Sequence, residues 1–298
     1  MREDMKGEKD TGYFHICTDG RALPWMFQDE KDFIAGINRI AICHLRTCLE
    51  IIAFVLMDNH VHFVLYGTMP QCKAFINLYK RLTGKWILTK YGINDYLRGL
   101  PTEILRIESE ESLLNTLAYL DRNPPMAGYR YMHSEYPWGS SKYLFRDTKT
   151  TDDEESWKPA STYTRRALRS ILNSKADIPG NWLINESGMI HPKSFLNIRK
   201  LESCYKTPTR YAYFLAKKIE GIVEQDLQHS QKLFIPDKEL RPIVRKMTRE
   251  LFGTDNITEL DVKERLVIAK RLRYNYASTV KQISRMVHLS PTALDGFI

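Results

Sequence analysis

Residues 51–57, Ile-Ile-Ala-Phe-Val-Leu-Met, form an unbroken apolar run, and beyond Asp58-Asn59 a second apolar stretch occupies 61–66. Runs this short, joined by a polar pair that favours a tight turn, predict a β-hairpin, with 51–57 as a central strand. The second run is interrupted by histidine. Strand alternation puts His60, His62, Val64 and Tyr66 on one face and Val61, Phe63 and Leu65 on the other, so two imidazoles point the same way.

The segments around this hairpin carry both periods. Residues 12–17 read as a strand. Residues 29–47 read as a helix with Phe33, Ile34, Ile37, Ile40 and Ala41 at helical spacing. Residues 70–90 predict a second helix, with Phe75, Ile76, Tyr79, Leu82 and Trp86 on one side and Lys80, Arg81 and Lys85 near the other. A strand at 103–107 follows, then a helix capped by Ser109 with Glu110 and Glu111 in its first turn. Pro124-Pro125 is expected to stop that helix at Asn123. The order β-α-β-β-α-β plus a helix predicts an α+β fold built as a split βαβ antiparallel sheet.

A chain of 298 residues can hold one large domain or two modest ones, and two are expected. The polar, charged segment from 147 reads as a linker or long loop, taken as 147–160. It separates a domain at 1–146 from an all-α C-terminal domain at 161–298. Within the latter, 261–298 predicts three short helices. Ser278-Thr279 opens the second, His288-Leu289 forms a turn, and Ser290-Pro291 starts the third. That pattern suits a helix-turn-helix. A small bundle with only a packing role is the alternative.

The net charge of +8 favours a polyanionic partner. Five cysteines, with no Cys-x-x-Cys pair, predict free thiols in a reducing compartment. The first residues have no apolar signal region, and the longest apolar run is far below the roughly 20 residues that span a bilayer. A soluble cytoplasmic protein is expected.

Helical spacing stacks Tyr119 and Asn123 on one face. A phenol with a pKa near 10 is ionised to only roughly 0.1% at neutral pH, so a nucleophilic tyrosine needs help and its target must be polarised. A divalent cation held by His60 and His62, with the neutral amide oxygen of Asn123 as a possible third ligand, would supply that polarisation. Mixed nitrogen and oxygen ligation with open positions suits Mg²⁺ or Mn²⁺. Taken singly, each residue also has an ordinary packing role open to it.

At these residues the chain resembles the single-tyrosine HUH transposases, most closely the REP-associated tyrosine transposases. Met57-Asp58-Asn59-His60-Val61-His62-Phe63 is similar to the family's metal-binding block, and Tyr119-Leu120-Asp121-Arg122-Asn123-Pro124, followed by Gly128, to its nucleophile block. Tyr136-Pro137-Trp138-Gly139-Ser140-Ser141-Lys142-Tyr143 is similar to the block that often follows. The resemblance spans about residues 10–145. Asp58, Pro125 and Gly139 depart from the residues usual in the family, and none of them is a ligand or the nucleophile.

The resemblance implies a ferredoxin-like HUH nuclease fold, metal ligation by His60, His62 and Asn123, and a 5′-phosphotyrosine link between Tyr119 and single-stranded or hairpin DNA. It implies a cleaved strand with a free 3′-OH, and a monomer or homodimer. For DNA contact the sequence singles out Lys80, Arg81 and Lys85, and Arg122 and Arg130 beside the nucleophile. Trp86 or Tyr79 is a candidate for stacking an unpaired base. The alternative functions are a catalytically silent DNA-binding protein or repressor that reads duplex DNA through the C-terminal helices, and a nicking initiator of replication or conjugative transfer.

Overall fold

The structure is a computed structural model that describes residues 11–20, 22–127, 129, 131–146, 157–216, 237–276, 278 and 280–294. Its first part runs β1 (Gly12–Thr18), α1 (Glu30–Thr47), β2 (Glu50–Leu56), β3 (Val61–Gly67), α2 (Met69–Tyr91), β4 (Thr102–Ile107) and α3 (Glu110–Met126). The four strands form one antiparallel sheet in the order β2-β3-β1-β4. Each β-α-β unit therefore leaves a gap that a strand of the other unit fills. The fold is α+β.

Local signals set the helix starts. Asp29 caps α1 by accepting from the Asp32 amide, Thr68 and Gln71 close a capping box at α2, and Ser109 caps α3. The expected end of α3 needs correction, because the helix continues through Pro124 and Pro125 to Met126. Both prolines fall in its last turn, and each forfeits one amide bond to the carbonyl four residues back. The Asp121 carbonyl, which would otherwise accept from Pro125, meets His133 Nδ1 at 3.2 Å instead.

Alternation along the strands separates two cores. Phe14, Ile16, Val61, Phe63 and Leu65 face α1 and α2 in the larger one. Val55 and Val64 pack with Leu114, Leu117, Ala118 and Tyr119 of α3 on the opposite face. β2 is an edge strand rather than a central one. Its apolar run reflects burial on both faces, and its open edge is covered by later chain. Leu56 N donates to the Trp138 carbonyl (2.9 Å), Phe54 N to Ser140 Oγ (3.0 Å), and Tyr136 OH to the Leu56 carbonyl (2.7 Å). Further along, Asn197 N donates to the Ile51 carbonyl at 2.9 Å. The block at 136–143 is thus an edge cap for this sheet.

Of the expected linker at 147–160, residues 147–156 lie outside the described residues, while 158–159 form a short strand and Ala160 is buried in the core, so that end of it is not a linker. Beyond it the chain is not purely helical, since β5 (Lys158–Pro159) pairs with β6 (Leu183–Ile184). The stretch containing them, with α4 (Arg165–Leu172), α5 (Ile198–Tyr205) and α6 (Pro208–Ala216), packs into the two sheet cores. Asn38 of α1 ties it down, donating to the Gly188 carbonyl (2.8 Å) and accepting from Ile190 N (2.7 Å).

A third core belongs to α7 (Asp237–Phe252), α8 (Val262–Tyr276), α9 (Val280–Val287) and α10 (Pro291–Leu294). It buries Leu240, Val244, Ile268, Leu272, Ile283, Val287 and Leu294. His288 at φ 51° makes the turn before α10, and Ser290 caps it, accepting from Ala293 N at 3.2 Å. Among the described residues no helix is long and apolar enough to cross a membrane.

Candidate metal and nucleophile site

The hairpin turn brings His60 to the mouth of β3, where Met57 N donates to the His60 carbonyl at 2.8 Å. His62 follows within the strand and is 1% exposed. Their rings stand edge to face with centroids 4.9 Å apart. Tyr119 comes from the opposing helix and meets His62 edge-on at 5.5 Å. It is buried because α3 lays its apolar side on the sheet between Leu114, Leu117 and Ala118.

Asn123 lies one turn further along α3, also buried, with Nδ2 donating to the Tyr119 carbonyl at 3.1 Å. That bond keeps its amide group on the helix and leaves Oδ1 as the ligand-capable atom.

His60 is held from behind. Its Nδ1 lies 2.7 Å from Asn59 Oδ1, and Asn59 Nδ2 donates to the Gly20 carbonyl at 2.5 Å. An acceptor at Nδ1 fixes the proton there and makes Nε2 the lone-pair atom. Gly20 is required by the close approach, since a Cβ there would stand 2.8 Å from His60 Nδ1.

Two residues of β1 complete the cluster, and the sequence reading missed both. Antiparallel register sets Cys17 opposite His62 and His15 opposite Val64. His15 Nε2 is 3.1 Å from His62 Nδ1. His15, Cys17 and His62 each bring one ligand atom within 4.8 Å of the others, a group able to hold a metal ion. The visible signal was His15-x-Cys17 at strand period, but only the β1·β3 pairing shows that this pair faces His62.

Burial sets the charge state. It pushes His15 down to about 4, and it pushes His62 well below the ordinary histidine range with help from His60 and His15. Both rings are neutral at physiological pH, the state in which imidazole binds metals. His62 Nε2 is buried and has no hydrogen-bond partner among the described residues. An orphaned buried lone pair beside a second histidine fits a bound cation.

The basic residues fare differently. Arg81 and Lys85 are exposed along a groove shared with Asn94 and Arg98. Lys80 is committed to the fold, with Nζ donating to the Leu100 carbonyl (3.1 Å) and Thr102 Oγ1 (3.0 Å). Arg122 points away from the cluster towards the Leu215 carbonyl, 3.4 Å from its guanidinium. Arg130 lies outside the described residues. Both aromatic candidates pack against the fold. Tyr79 is fully buried, and Trp86 donates to Asp32 (2.8 Å) with the Arg39 guanidinium 5.1 Å over its ring.

A scan of protein-family models, a search of curated proteins and a search of solved structures return no match to this chain.

Proposed function

We propose that the protein is a tyrosine-dependent DNA strand transferase of the HUH kind, cutting and rejoining single-stranded or hairpin DNA in the cytoplasm. The observation that carries this reading is the convergence of Tyr119 on the His60-His62 pair from a different element. A ferredoxin-like sheet with this strand order brings the hairpin and α3 together, which chance packing of isolated residues would not require. His60 and His62 would hold the cation through Nε2, with Asn123 Oδ1 as third ligand. A bound Mg²⁺ or Mn²⁺ would neutralise charge on the scissile phosphate.

The chain's own residues account for the rest. The Tyr119 phenol passes its proton to water and its oxygen attacks phosphorus, forming a P–O(tyrosine) bond as the P–O3′ bond breaks. The departing 3′ oxygen takes a proton to become a 3′-OH. Another 3′-OH attacking the phosphotyrosine reverses the step and releases Tyr119, so the bond energy is kept and no nucleotide hydrolysis is needed. Because α3 carries both Tyr119 and Asn123, one rigid element aligns nucleophile and ligand.

The test is incubation of purified protein with end-labelled single-stranded oligonucleotides from the DNA flanking its gene, with Mn²⁺ or Mg²⁺, resolved on a denaturing gel. A covalent adduct lost in Tyr119→Phe, with DNA binding kept, supports the reading. A Tyr119→Phe protein that cleaves normally sinks it.

Two observations favour a second reading, a DNA-binding protein without chemistry. The Tyr119 hydroxyl is buried, so a strand reaches it only if covering chain moves aside. In addition, Lys238, Arg241, Arg245 and Arg249 form an exposed basic stripe along α7 at helical spacing, with Arg249 paired to Asp255. Duplex binding through that stripe with no adduct under any metal would select this reading.

A further inference from the structure

His15 has no part in the chemistry above, yet it is a half-buried imidazole on an inner strand, in contact with one of the two histidines that matter. The contact has a definite shape. The ring planes are 10° apart and the centroids 5.3 Å apart, while His15 Nε2 and His62 Nδ1 are separated by 3.1 Å. The centroid separation is close to the nitrogen separation plus the distance from each centroid to its own ring nitrogen. The two nitrogens therefore lie on the line joining the rings, and the rings meet edge to edge rather than stacking. That is the geometry of a straight N–H···N hydrogen bond. Two ligands of one ion would instead both aim at a third point, which bends the pair and shortens the centroid separation.

A hydrogen bond between two neutral imidazoles needs one N–H and one lone pair. If His15 were the donor, His62 would carry its proton on Nε2, a buried atom with no acceptor among the described residues. If His62 is the donor, its proton sits on Nδ1 and Nε2 presents a lone pair. The second arrangement repeats what Asn59 Oδ1 does at His60 Nδ1 on the other side of the site. It gives both histidines the same protonation pattern.

We propose that His15 is a positioning residue that accepts from His62 Nδ1–H and so fixes His62 as an Nε2 ligand. Partners of this type on ligating histidines fix tautomer and ring orientation, and losing one typically weakens metal binding 10- to 100-fold. The proposal rests on the metal-site reading above for its purpose, but not for its first test.

That test is a long-range ¹H–¹⁵N correlation spectrum of the metal-free full chain, with the His62 ring assigned through its loss in His62→Gln. A pyrrole-type Nδ1 and a pyridine-type Nε2 at His62 are expected. An Nε2–H tautomer would overturn the proposal, and this measurement on the unsubstituted protein does not depend on any variant folding. His15→Phe should shift His62 towards the Nε2–H form and weaken Mn²⁺ binding, followed by electron paramagnetic resonance, by 10- to 100-fold. His15→Gln, which supplies an acceptor oxygen, should recover most of that loss. An unchanged His62 spectrum in a folded His15→Phe protein would count against the proposal.

A Co²⁺-loaded protein with a thiolate-to-metal absorption band that vanishes in Cys17→Ser would overturn it differently, by making the β1 residues ligands themselves. The expected tautomer with no DNA adduct would leave His15 in this role while removing the transferase reading.

Discussion

His60 and His62 sit two residues apart and are held by unlike neighbours, a backbone-anchored amide and a second imidazole. Gly20 makes the first arrangement possible. Gly20→Ala is expected to push the His60 ring off Asn59 and weaken Mn²⁺ binding at least tenfold with little loss of fold, checked by calorimetric titration alongside circular dichroism. The β1 imidazole makes a pH prediction. The unfolded chain protonates His15 near 6.5, whereas burial delays this in the folded chain to about 4. Stability from this residue is therefore intact above pH 6.5 and is lost as the pH falls towards 4, by about 3 kcal/mol in the metal-free protein. Urea unfolding across that window measures the slope, and His15→Gln should flatten it. Period and spacing made His60, His62 and Tyr119 candidates in the sequence. His15 and Cys17 stayed hidden because their strand-period spacing does not show which distant strand they face.

At the scale of elements, the strands and helices of the first half were readable because each has its own period and its own cap. The position of β2 was not readable, since a run buried on both faces looks the same whether a neighbouring strand or a loop covers its edge. The loop here acts through single hydrogen bonds. Tyr136→Phe removes the donor to the Leu56 carbonyl and is expected to cost about 1 kcal/mol, or more if that carbonyl stays dry, read from the urea midpoint. The prolines of α3 misled for a related reason, because their cost depends on whether a side chain such as His133 meets the vacated carbonyl. In the last helices the cap at Ser290 was readable from Ser290-Pro291, and its hydroxyl accepts from the amide three residues on.

For the whole molecule, the helical region of α7 to α10 has a core of its own and carries the basic stripe. If that stripe follows a phosphate backbone, Arg241→Gln with Arg245→Gln should lower the slope of log affinity against log salt by about 2 on duplex DNA. Adduct formation on single strands should be unchanged. The segment before it behaves otherwise. Tyr211 of α6 donates to Asp121 at 2.9 Å, Tyr205 reaches the Leu114 carbonyl at 3.4 Å, and Arg210 pairs with Glu110 at 3.0 Å, all on the helix that bears Tyr119. Asp121 is buried behind that contact, and its carboxyl is pushed up to about 7 by burial, with the Tyr211 hydroxyl and Arg122 opposing. A protein trimmed to residues 1–146 would strip the back of this helix and open a carboxyl group to water. The first half is thus no detachable cassette, because the later segment of α5 and α6 is the wall against which α3 is braced.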